Sequence, residues 1–264
     1  MTERYAVIGH PVSHSKSPSI HAEFARQTGQ DIVYDRIEAP PDGFDAAVDA
    51  FRRAGGRGLN VTLPFKEAAF RYSGDLSARA RTAGAVNTLA FREVVFGDNT
   101  DGAGLVRDIE GNVGVPLRDK TVLLVGAGGA AQGVAGALME AGIGRLAIAN
   151  RTVEKAQALA ARFPGATATS FAALGGPFDV VVNATSAGLS GAALPLPRSL
   201  WRPDTLAYDM VYGRDTAFLA AARAAGARAC DGLGMLVEQA AESFFIWRGV
   251  RPQTRSVLAR LRAG

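Results

Sequence analysis

Cysteine is almost absent from this chain of 264 residues, since Cys230 is the only one. A single cysteine excludes a disulfide within the chain, which is typical of proteins in a reducing compartment, and we therefore expect a cytoplasmic protein. No apolar run reaches the ~18 residues of a membrane-spanning helix, so we expect no membrane partner. The opening stretch, MTERYAVIGHPVSHS, has no long apolar core, and we expect no signal peptide.

Histidine and lysine are scarce as well, with three histidines and four lysines in the chain. The formal net charge of +4 comes from 29 basic and 25 acidic residues. Because the arginines are scattered and form no basic run, we expect no nucleic-acid partner. His10, His14 and His21 lie close together, but Pro11 prevents the first two from sharing one helix face. We therefore expect no metal site.

The sequence has an alternating pattern of apolar, strand-like runs and helix-like runs, which predicts α/β sheets throughout. The first half is predicted to contain strands at 4–9, 32–38 and 58–63 and helices at 18–28, 42–54 and 75–81. A hairpin is predicted at 85–97, and a helix is expected to start at 101 and run through 109. The second half is predicted to contain strands at 121–125, 145–149, 179–183 and 206–211, and helices at 235–248 and 254–262.

Residues 121–152 have the strand–turn–helix–strand order of a dinucleotide-binding unit. In the turn, Gly126 permits a tight bend, Gly128 lets the backbone approach a pyrophosphate, and Ala131 stands at the close-packing position. The phosphates would lie at the helix N-terminus, where free N–H groups and the helix dipole favour an anion. The remaining candidate contacts in this turn are Ala127, Gly129 and Ala130.

The end of the second strand of this unit indicates which dinucleotide is bound. An NAD enzyme usually carries an acidic residue there, which bonds the ribose 2′-hydroxyl. This chain has Asn150 followed by Arg151, with Lys155 one helical turn further on. A guanidinium can hold a 2′-phosphate bidentately, so we expect NADP. Thr152 is expected to cap the helix that begins there.

Polar residues of the first half form three clusters, which contain Ser15 and Ser17, then Asn60, Thr62 and Lys66, and then Asn87 and Asp101. Each has an ordinary structural interpretation: loops are rich in serine, an isolated lysine is usually solvated, and an Asp after Asn-Thr is usually a helix cap. The functional interpretation pairs the Lys66 ammonium group with the Asp101 carboxylate. A dehydrogenase that reduces a carbonyl group needs a proton donor near its oxygen, and an ammonium held by a carboxylate meets that need.

Nine motifs in order resemble the shikimate/quinate dehydrogenase family along nearly the whole chain. They are GHPVSHSKSPSIH, NVTLPFK, GAVNT, GDNTDGAG, VLLVGAGGAA, NRT, NATSAG, DMVY and GLGMLVEQAA. The resemblance implies an α/β fold with an N-terminal α/β substrate domain and a Rossmann-type dinucleotide-binding domain. The substrate-binding and catalytic domain is expected to comprise residues 1–103 and 235–264, and the NADP-binding domain residues 104–234. The active site is expected in the cleft between them.

The same resemblance implies a role for each candidate residue. Residues expected to hold the substrate carboxylate are Ser15, Ser17, Thr62 and Tyr212, and those expected to hold ring hydroxyls are Asn60, Asn87, Asp101 and Gln239. Lys66 corresponds to the catalytic lysine, with Asp101 as its partner. Gly232, Gly234 and Met235 are expected near the nicotinamide, and Thr185 of NATSAG is expected among the cofactor contacts.

The expected activity is the NADPH-dependent, reversible reduction of 3-dehydroshikimate to shikimate in the biosynthesis of chorismate and the aromatic amino acids, by a monomer or homodimer. Three alternatives stay open at this point. The first is a quinate/shikimate dehydrogenase of relaxed specificity, possibly one that uses NAD. The second is a non-catalytic NADPH-binding regulator on the same fold. The third, an unrelated metal-dependent enzyme that uses the three histidines, ranks last. Gln132 stands where the family often has arginine, which affects one expected phosphate contact.

Overall fold

The computed structural model describes residues 2–263, apart from the side chains of Leu189 and Ser190. The chain forms two compact units, one of Met1–Gly104 with Val237–Gly264 and the other of Leu105–Leu236. Each unit contains a six-stranded sheet. Across the described residues, no helix combines the length and apolar character that crossing a membrane requires.

The first unit has a mixed sheet with strand order β2-β1-β3-β5-β6-β4. The first three neighbours pair in parallel, β5 pairs antiparallel with β3 and β6, and β4 pairs in parallel with β6. The elements up to the unit boundary are β1 (Glu3–Gly9), α1 (Ser17–Thr28), β2 (Ile32–Glu38), α2 (Phe44–Arg53), β3 (Gly56–Val61), α3 (Lys66–Tyr72), β4 (Asp75–Leu76), α4 (Ala78–Ala83), β5 (Thr88–Phe91), β6 (Val95–Asp98) and α5 (Asp101–Arg107).

The second unit has an all-parallel sheet with strand order β12-β11-β10-β7-β8-β9. Its elements are a π-helical turn (Asp108–Asn112), β7 (Thr121–Val125), α6 (Gly129–Glu140), β8 (Arg145–Ala149), α7 (Val153–Ala160), β9 (Thr167–Thr169), β10 (Val180–Asn183), α8 (Ala187–Ser190), β11 (Leu206–Asp209), α9 (Ala217–Ala224) and β12 (Arg228–Asp231), with 3₁₀ turns at Phe171–Ala173 and Arg198–Leu200. The chain then forms α10 (Leu233–Arg248), which begins in this unit, and α11 (Arg255–Ala263) of the first unit.

The parallel sheet has the strand order of a Rossmann fold. Counted from its first strand, the order is 3-2-1-4-5-6, which reverses between β7 and β10. Ligands of open α/β sheets bind beyond the carboxyl ends of the strands at such a reversal. β7 is the strand that the glycine-rich turn follows, and its residues Val122–Val125 are fully buried because helices cover both faces of the sheet. The predicted α/β fold class with a Rossmann-type sheet is therefore confirmed.

Several predicted elements differ from the observed ones. Residues 75–81 were expected to be helical, but Asp75–Leu76 pairs with β6 and only Ala78–Ala83 is helical. The strand predicted at 58–63 ends at Val61, and β9 was not predicted. The helix expected through Ile109 continues beyond Arg107 as a π-helical turn. The two-residue strand and β9 depend on pairing with distant residues, which leaves no periodic pattern in the sequence.

His21 lies in the core of the first unit, where it is completely buried. Its ring stacks on Tyr34, with centroids 4.2 Å apart, and lies 5.4 Å from the Trp247 ring and 5.8 Å from the Phe24 ring. Because burial among aromatic rings disfavours the charged imidazolium, it lowers the pKa of His21 from 6.5 to about 3. His21 is therefore a neutral core residue.

We expect the stability of the first unit to depend on pH through His21. The unfolded chain protonates this histidine below its ordinary pKa of 6.5, whereas the folded protein leaves it neutral down to about 3. The stabilising contribution of the neutral His21 is fully present above pH 6.5 and is lost as the pH falls. The free energy of unfolding therefore decreases by about 2 kcal/mol between about pH 7 and about pH 5. In urea denaturation, His21→Leu should therefore lose about 2 kcal/mol less than wild type over this interval.

The matched control is His14→Leu, which removes an exposed histidine from the loop before α1. This variant should keep the wild-type dependence on pH. If the stability of His21→Leu falls as steeply as that of wild type, the buried histidine is not the source of the pH dependence.

Candidate active site

Lys66 and Asp101 form an ion pair in the first unit. Lys66 begins α3 and Asp101 begins α5, and the Lys66 Nζ atom lies 2.5 Å from Asp101 Oδ2. The lysine side chain is 19% exposed and the aspartate side chain 7% exposed, so their attraction is weakly screened by solvent. The lysine is the more exposed member of the pair, so a reacting molecule could contact the ammonium group.

Asn87 holds the other oxygen of the same carboxylate. The Asn87 Nδ2 group donates a hydrogen bond of 2.7 Å to Asp101 Oδ1. The backbone N–H of Thr100 donates to Asn87 Oδ1 at 2.8 Å. Because a backbone N–H can only donate, it fixes which end of the amide faces the carboxylate. The orientation of Asp101 is therefore set by a neutral donor as well as by the lysine.

A buried network of hydroxyl and amide groups extends from Asn87. The Asn60 Nδ2 group donates to Ser243 Oγ at 2.9 Å, and the Ser243 and Thr88 hydroxyl groups lie 2.8 Å apart. Thr88 donates in turn to Asn87 Oδ1 at 2.9 Å, and Gln239 Oε1 lies 3.3 Å from Asn87 Nδ2. The predicted residues Asn60, Asn87 and Gln239 thus lie in one network. Thr88 and Ser243 were not predicted from the sequence, although Ser243 is four residues after Gln239 and so shares its helix face.

Tyr34 is a further residue that the sequence analysis missed. Its hydroxyl donates to Asn60 Oδ1 at 2.7 Å and forms a hydrogen bond with the Ser17 side chain. Burial raises the pKa of Tyr34 well above 10, so the phenol stays protonated. Nothing in the sequence of β2, IVYDRIE, distinguished this tyrosine from an ordinary core residue. It connects two predicted substrate residues, one in the serine loop and one at the end of β3.

The serine loop before α1 presents neutral donors. The Ser15 hydroxyl donates to Ser17 Oγ at 3.2 Å and accepts from the Ser17 backbone N–H at 3.2 Å. Arg36 donates two hydrogen bonds to the Ser15 carbonyl oxygen, which fixes the loop against β2. Thr62 follows β3 and is half-buried. These hydroxyl groups can hold a carboxylate by hydrogen bonding.

In the second unit, the glycine-rich turn leaves the start of α6 open. Gly126 has φ of 111°, and a methyl group there would lie 3.1 Å from Thr185 Cγ2 and 3.2 Å from the Ala184 backbone. Gly128 is the N-cap of α6 and supplies no side-chain cap bond. A methyl group on Gly128 or Gly129 would meet no described atom within 4 Å. The residues present therefore fit a pyrophosphate at this helix N-terminus.

Cationic side chains lie beside the next helix start. Arg151 and Lys155 are exposed, and the Asn150 Nδ2 group donates to the Thr152 carbonyl at 2.9 Å, which fixes the turn between β8 and α7. Thr152 is the N-cap of α7, but its side chain makes no cap hydrogen bond. The capping bond expected of Thr152 is therefore wrong. The arrangement suits the 2′-phosphate of NADP, because two cations and a hydroxyl group lie at the position where an NAD enzyme has a carboxylate. A carboxylate there would repel the 2′-phosphate.

Thr185 is held at the carboxyl end of β10. Its hydroxyl donates to Asn183 Oδ1 at 2.7 Å, and the Asn183 Nδ2 group donates to Asp209 Oδ1 at 3.1 Å. Burial raises the pKa of Asp209 above its usual value. The sequence analysis did not single out Asn183 or Asp209, whose polar side chains end buried strands. Both fix the edge of the sheet at which a dinucleotide would lie.

The remaining predicted residues of the second unit lie after β11 and at the start of α10. Tyr212 follows β11, is half-buried, and has its pKa raised by burial. Gly232 and Met235 border the start of α10, and the Met235 side chain packs into the hydrophobic core of this unit. Among residues 2–263, no group of three or more His, Cys, Asp and Glu side chains could hold a metal ion.

A Rossmann-type sheet with an open, glycine-rich helix start and adjacent cations, together with a lysine–carboxylate pair, defines the class of NADP-dependent oxidoreductases. Three family patterns match the chain. They are the shikimate dehydrogenase substrate binding domain over residues 7–89, shikimate / quinate 5-dehydrogenase over residues 109–190, and the shikimate 5′-dehydrogenase C-terminal domain over residues 232–262.

Comparisons over the full length agree with these patterns. The NADP(+)-dependent shikimate dehydrogenase of Methylobacillus flagellatus is 59% identical, over 99% of each chain. An Ael1 enzyme from Pseudomonas putida has a TM-score of 0.94 at 48% identity, with 98% of each chain covered. A shikimate 5-dehydrogenase from Thermus thermophilus, solved with NADP(H) and shikimate, has a TM-score of 0.88 at 37% identity, with 99% of each chain covered. The chain belongs to the shikimate dehydrogenase family.

We expect Arg151 to provide most of the preference for a 2′-phosphate. Arg151→Gln should weaken binding of adenosine 2′,5′-bisphosphate about tenfold, because a bidentate ionic hydrogen bond is lost, and should leave binding of adenosine 5′-monophosphate nearly unchanged. Isothermal calorimetry measures both dissociation constants. The control is Arg162→Gln, an exposed arginine of the same unit just beyond α7. Unchanged bisphosphate binding by Arg151→Gln would place the phosphate elsewhere.

Proposed function

We propose that this chain catalyses the reversible, NADPH-dependent reduction of 3-dehydroshikimate to shikimate, with Lys66 and Asp101 at the site of hydride transfer. The observation that carries the proposal is the ion pair of these two residues, whose nitrogen and oxygen atoms lie 2.5 Å apart. The proposal draws on membership of the family, whose relatives are named NADP(+)-dependent shikimate dehydrogenases. In this role the chain acts in aromatic amino acid biosynthesis.

Lys66 acts on the oxygen of the reacting carbonyl group. NADPH, when bound, supplies the hydride. As negative charge develops on the carbonyl oxygen, the Lys66 ammonium stabilises it and donates a proton, which yields the hydroxyl group of the product. Asp101 keeps the ammonium in place during this step, because Asn87 holds the carboxylate from its other side. The exposed fifth of the lysine side chain gives water access to restore the proton.

The substrate is held by neutral groups of the first unit. We assign its carboxylate to Ser15, Ser17 and Thr62, and we propose the same role for Tyr212. Its ring hydroxyl groups are assigned to Asn60, Asn87, Asp101 and Gln239. The buried network includes the three amides among these residues, through hydrogen bonds of 2.7–3.3 Å, so the amides lose little freedom on binding. Fixing both ends of the ring would determine which carbon faces the hydride donor.

The domain assignment follows from these roles. We propose that the unit of residues 1–104 and 237–264 binds the substrate and that the unit of residues 105–236 binds NADP. Its cofactor contacts are the glycine-rich turn, Thr185 and the Asn150–Lys155 region, with Gly232 and Met235 beside the nicotinamide. We also propose that the protein is a monomer or a homodimer. A cytoplasmic location is proposed because a single cysteine fits a reducing compartment.

A second candidate is a dehydrogenase that oxidises quinate as well as shikimate. It is favoured by the match of residues 109–190 to a pattern that covers shikimate and quinate 5-dehydrogenases. Quinate has a hydroxyl group on the saturated carbon that carries the carboxylate, where shikimate has a ring double bond, so the groups around Ser15 and Ser17 would decide between the two acids. A site built for one pattern of hydroxyl groups discriminates strongly against another.

The decisive experiment measures kcat/KM for shikimate and for quinate, each with NADP and with NAD. We expect shikimate with NADP to exceed each other pair by at least about tenfold. Arg151 and Lys155 favour the 2′-phosphate of NADP, and the groups around Ser15 and Ser17 favour shikimate over quinate. Faster turnover of quinate with NAD would favour the second candidate. Binding of NADPH without turnover of either acid would point to a non-catalytic regulator on the same fold.

A further inference from the structure

Asp108 is a buried carboxylate of the second unit to which the mechanism above gives no role. It begins the π-helical turn after α5 and is fully buried. The Tyr208 hydroxyl donates a hydrogen bond of 2.5 Å to Asp108 Oδ2, and the Asn112 Nδ2 group donates one of 2.9 Å to Asp108 Oδ1. A buried carboxylate is costly unless such donors surround it, so its position calls for a reason other than packing.

Asp108 is in close contact with the start of α10. We call residues Gly232–Met235 the glycine segment. A methyl group on Gly234 would overlap the Asp108 carboxyl group, and a methyl group on Gly232 would overlap the backbone of Met210. Neither glycine has a φ in the left-handed region, so both are required by close approach rather than by backbone conformation. Asp108 is therefore one of the surfaces that determine where this segment lies.

Hydrogen bonds hold the same segment. The backbone N–H of Met235 donates to the Tyr208 hydroxyl oxygen, and that hydroxyl donates to Asp108. Burial and the adjacent carboxylate raise the pKa of Tyr208 well above 10, so its hydroxyl keeps its proton and remains a donor. The Gly232 N–H donates to the Val211 carbonyl at 3.2 Å. The segment is fixed on one side by the end of β11 and on the other by the Tyr208–Asp108 pair.

The π-helical turn brings the carboxylate to this position. The Val113 N–H donates to the Asp108 carbonyl at 2.8 Å, which is the wider spacing of a π-helix. π-helical turns inside longer helices are found frequently at functional sites. Asp108, Tyr208 and the glycine segment thus come from three separated parts of the second unit and meet at one point.

We propose that Asp108 is a positioning residue for the nicotinamide half of the cofactor, acting through Tyr208 and Gly234 on the position of the glycine segment. The inference rests on the proposed function, which places Gly232 and Met235 beside the nicotinamide. The adenosine half binds about the glycine-rich turn and Arg151, which make no part of this contact. Loss of the Asp108 contacts therefore weakens binding of the nicotinamide half alone.

Calorimetry with NADP and with adenosine 2′,5′-bisphosphate, which lacks the nicotinamide half, separates a change in binding of the nicotinamide half from a change in binding of the adenosine half. Gly234→Ala should weaken NADP binding about tenfold and leave bisphosphate binding within about twofold of wild type. Asp108→Ala should weaken NADP binding about fivefold, because Tyr208 loses its acceptor. Gly234→Ala in the Asp108→Ala background should cost nothing more, since the carboxyl group that the new methyl would overlap is gone.

The matched control is Gly111→Ala in the π-helical turn, where a methyl group would meet no described atom within 4 Å. It should bind both ligands as wild type does. Asp108→Asn keeps the side-chain volume and serves if Gly234→Ala does not fold; it should weaken NADP binding about fivefold and spare the bisphosphate. The proposal would be overturned if the variants bind NADP as wild type does, or if they bind both ligands equally weakly. It would also be overturned if the fold-losses in NADP affinity of the two single variants multiply in the double variant. Failure of wild type to bind the bisphosphate would instead refute the proposed cofactor site.

Discussion

The Asp101 carboxylate accepts a hydrogen bond on each of its oxygens, from the Lys66 ammonium at 2.5 Å and from the Asn87 amide at 2.7 Å. The amide can face the carboxylate only one way, because the Thr100 N–H occupies its oxygen. A lysine side chain has many rotamers, and confining it to one costs up to about 2 kcal/mol of conformational entropy. The buried carboxylate offsets that cost, so the ammonium is in place before any substrate arrives.

In the second unit, the two helix starts proposed to bind phosphate groups lack a side-chain cap hydrogen bond. The start of α6 has no side-chain cap, and Thr152 makes no cap bond at the start of α7. Other polar side chains of the unit are paired, and the Asn183–Asp209 contact is an example. Free N–H groups at a helix N-terminus attract phosphate without bringing a full charge. The start of α6 is thus suited to an anion, whereas the first unit presents a neutral network of hydroxyl and amide groups.

Local sequence signals predicted the parts of this protein that depend on neighbouring residues. The strands at 121–125 and 145–149 and the glycine-rich turn between them are examples, since strand, turn and helix signals all fall within thirty-two residues. The pairing of Lys66 with Asp101 followed from the chemistry of the two side chains. Tyr34 could not be predicted, because it joins the site only through hydrogen bonds to residues distant in sequence. Ser243 could have been predicted from its position one helical turn after Gln239. The sequence predicted that the Asn87 amide contacts the substrate. It did not predict the hydrogen bond from Asn87 to Asp101, because that bond joins residues that are separated in sequence.

The central claim is that Lys66 and Asp101 act as one unit, and a double-mutant cycle on kcat tests it most directly. Lys66→Met should remove most of kcat, because no other described ammonium group pairs with Asp101. Asp101→Asn should also reduce kcat strongly, since the lysine is no longer held. If the pair acts together, the double variant should lose no more than about twofold beyond Lys66→Met alone. Losses that multiply, or a Lys66→Met variant with near-normal turnover, would contradict the account.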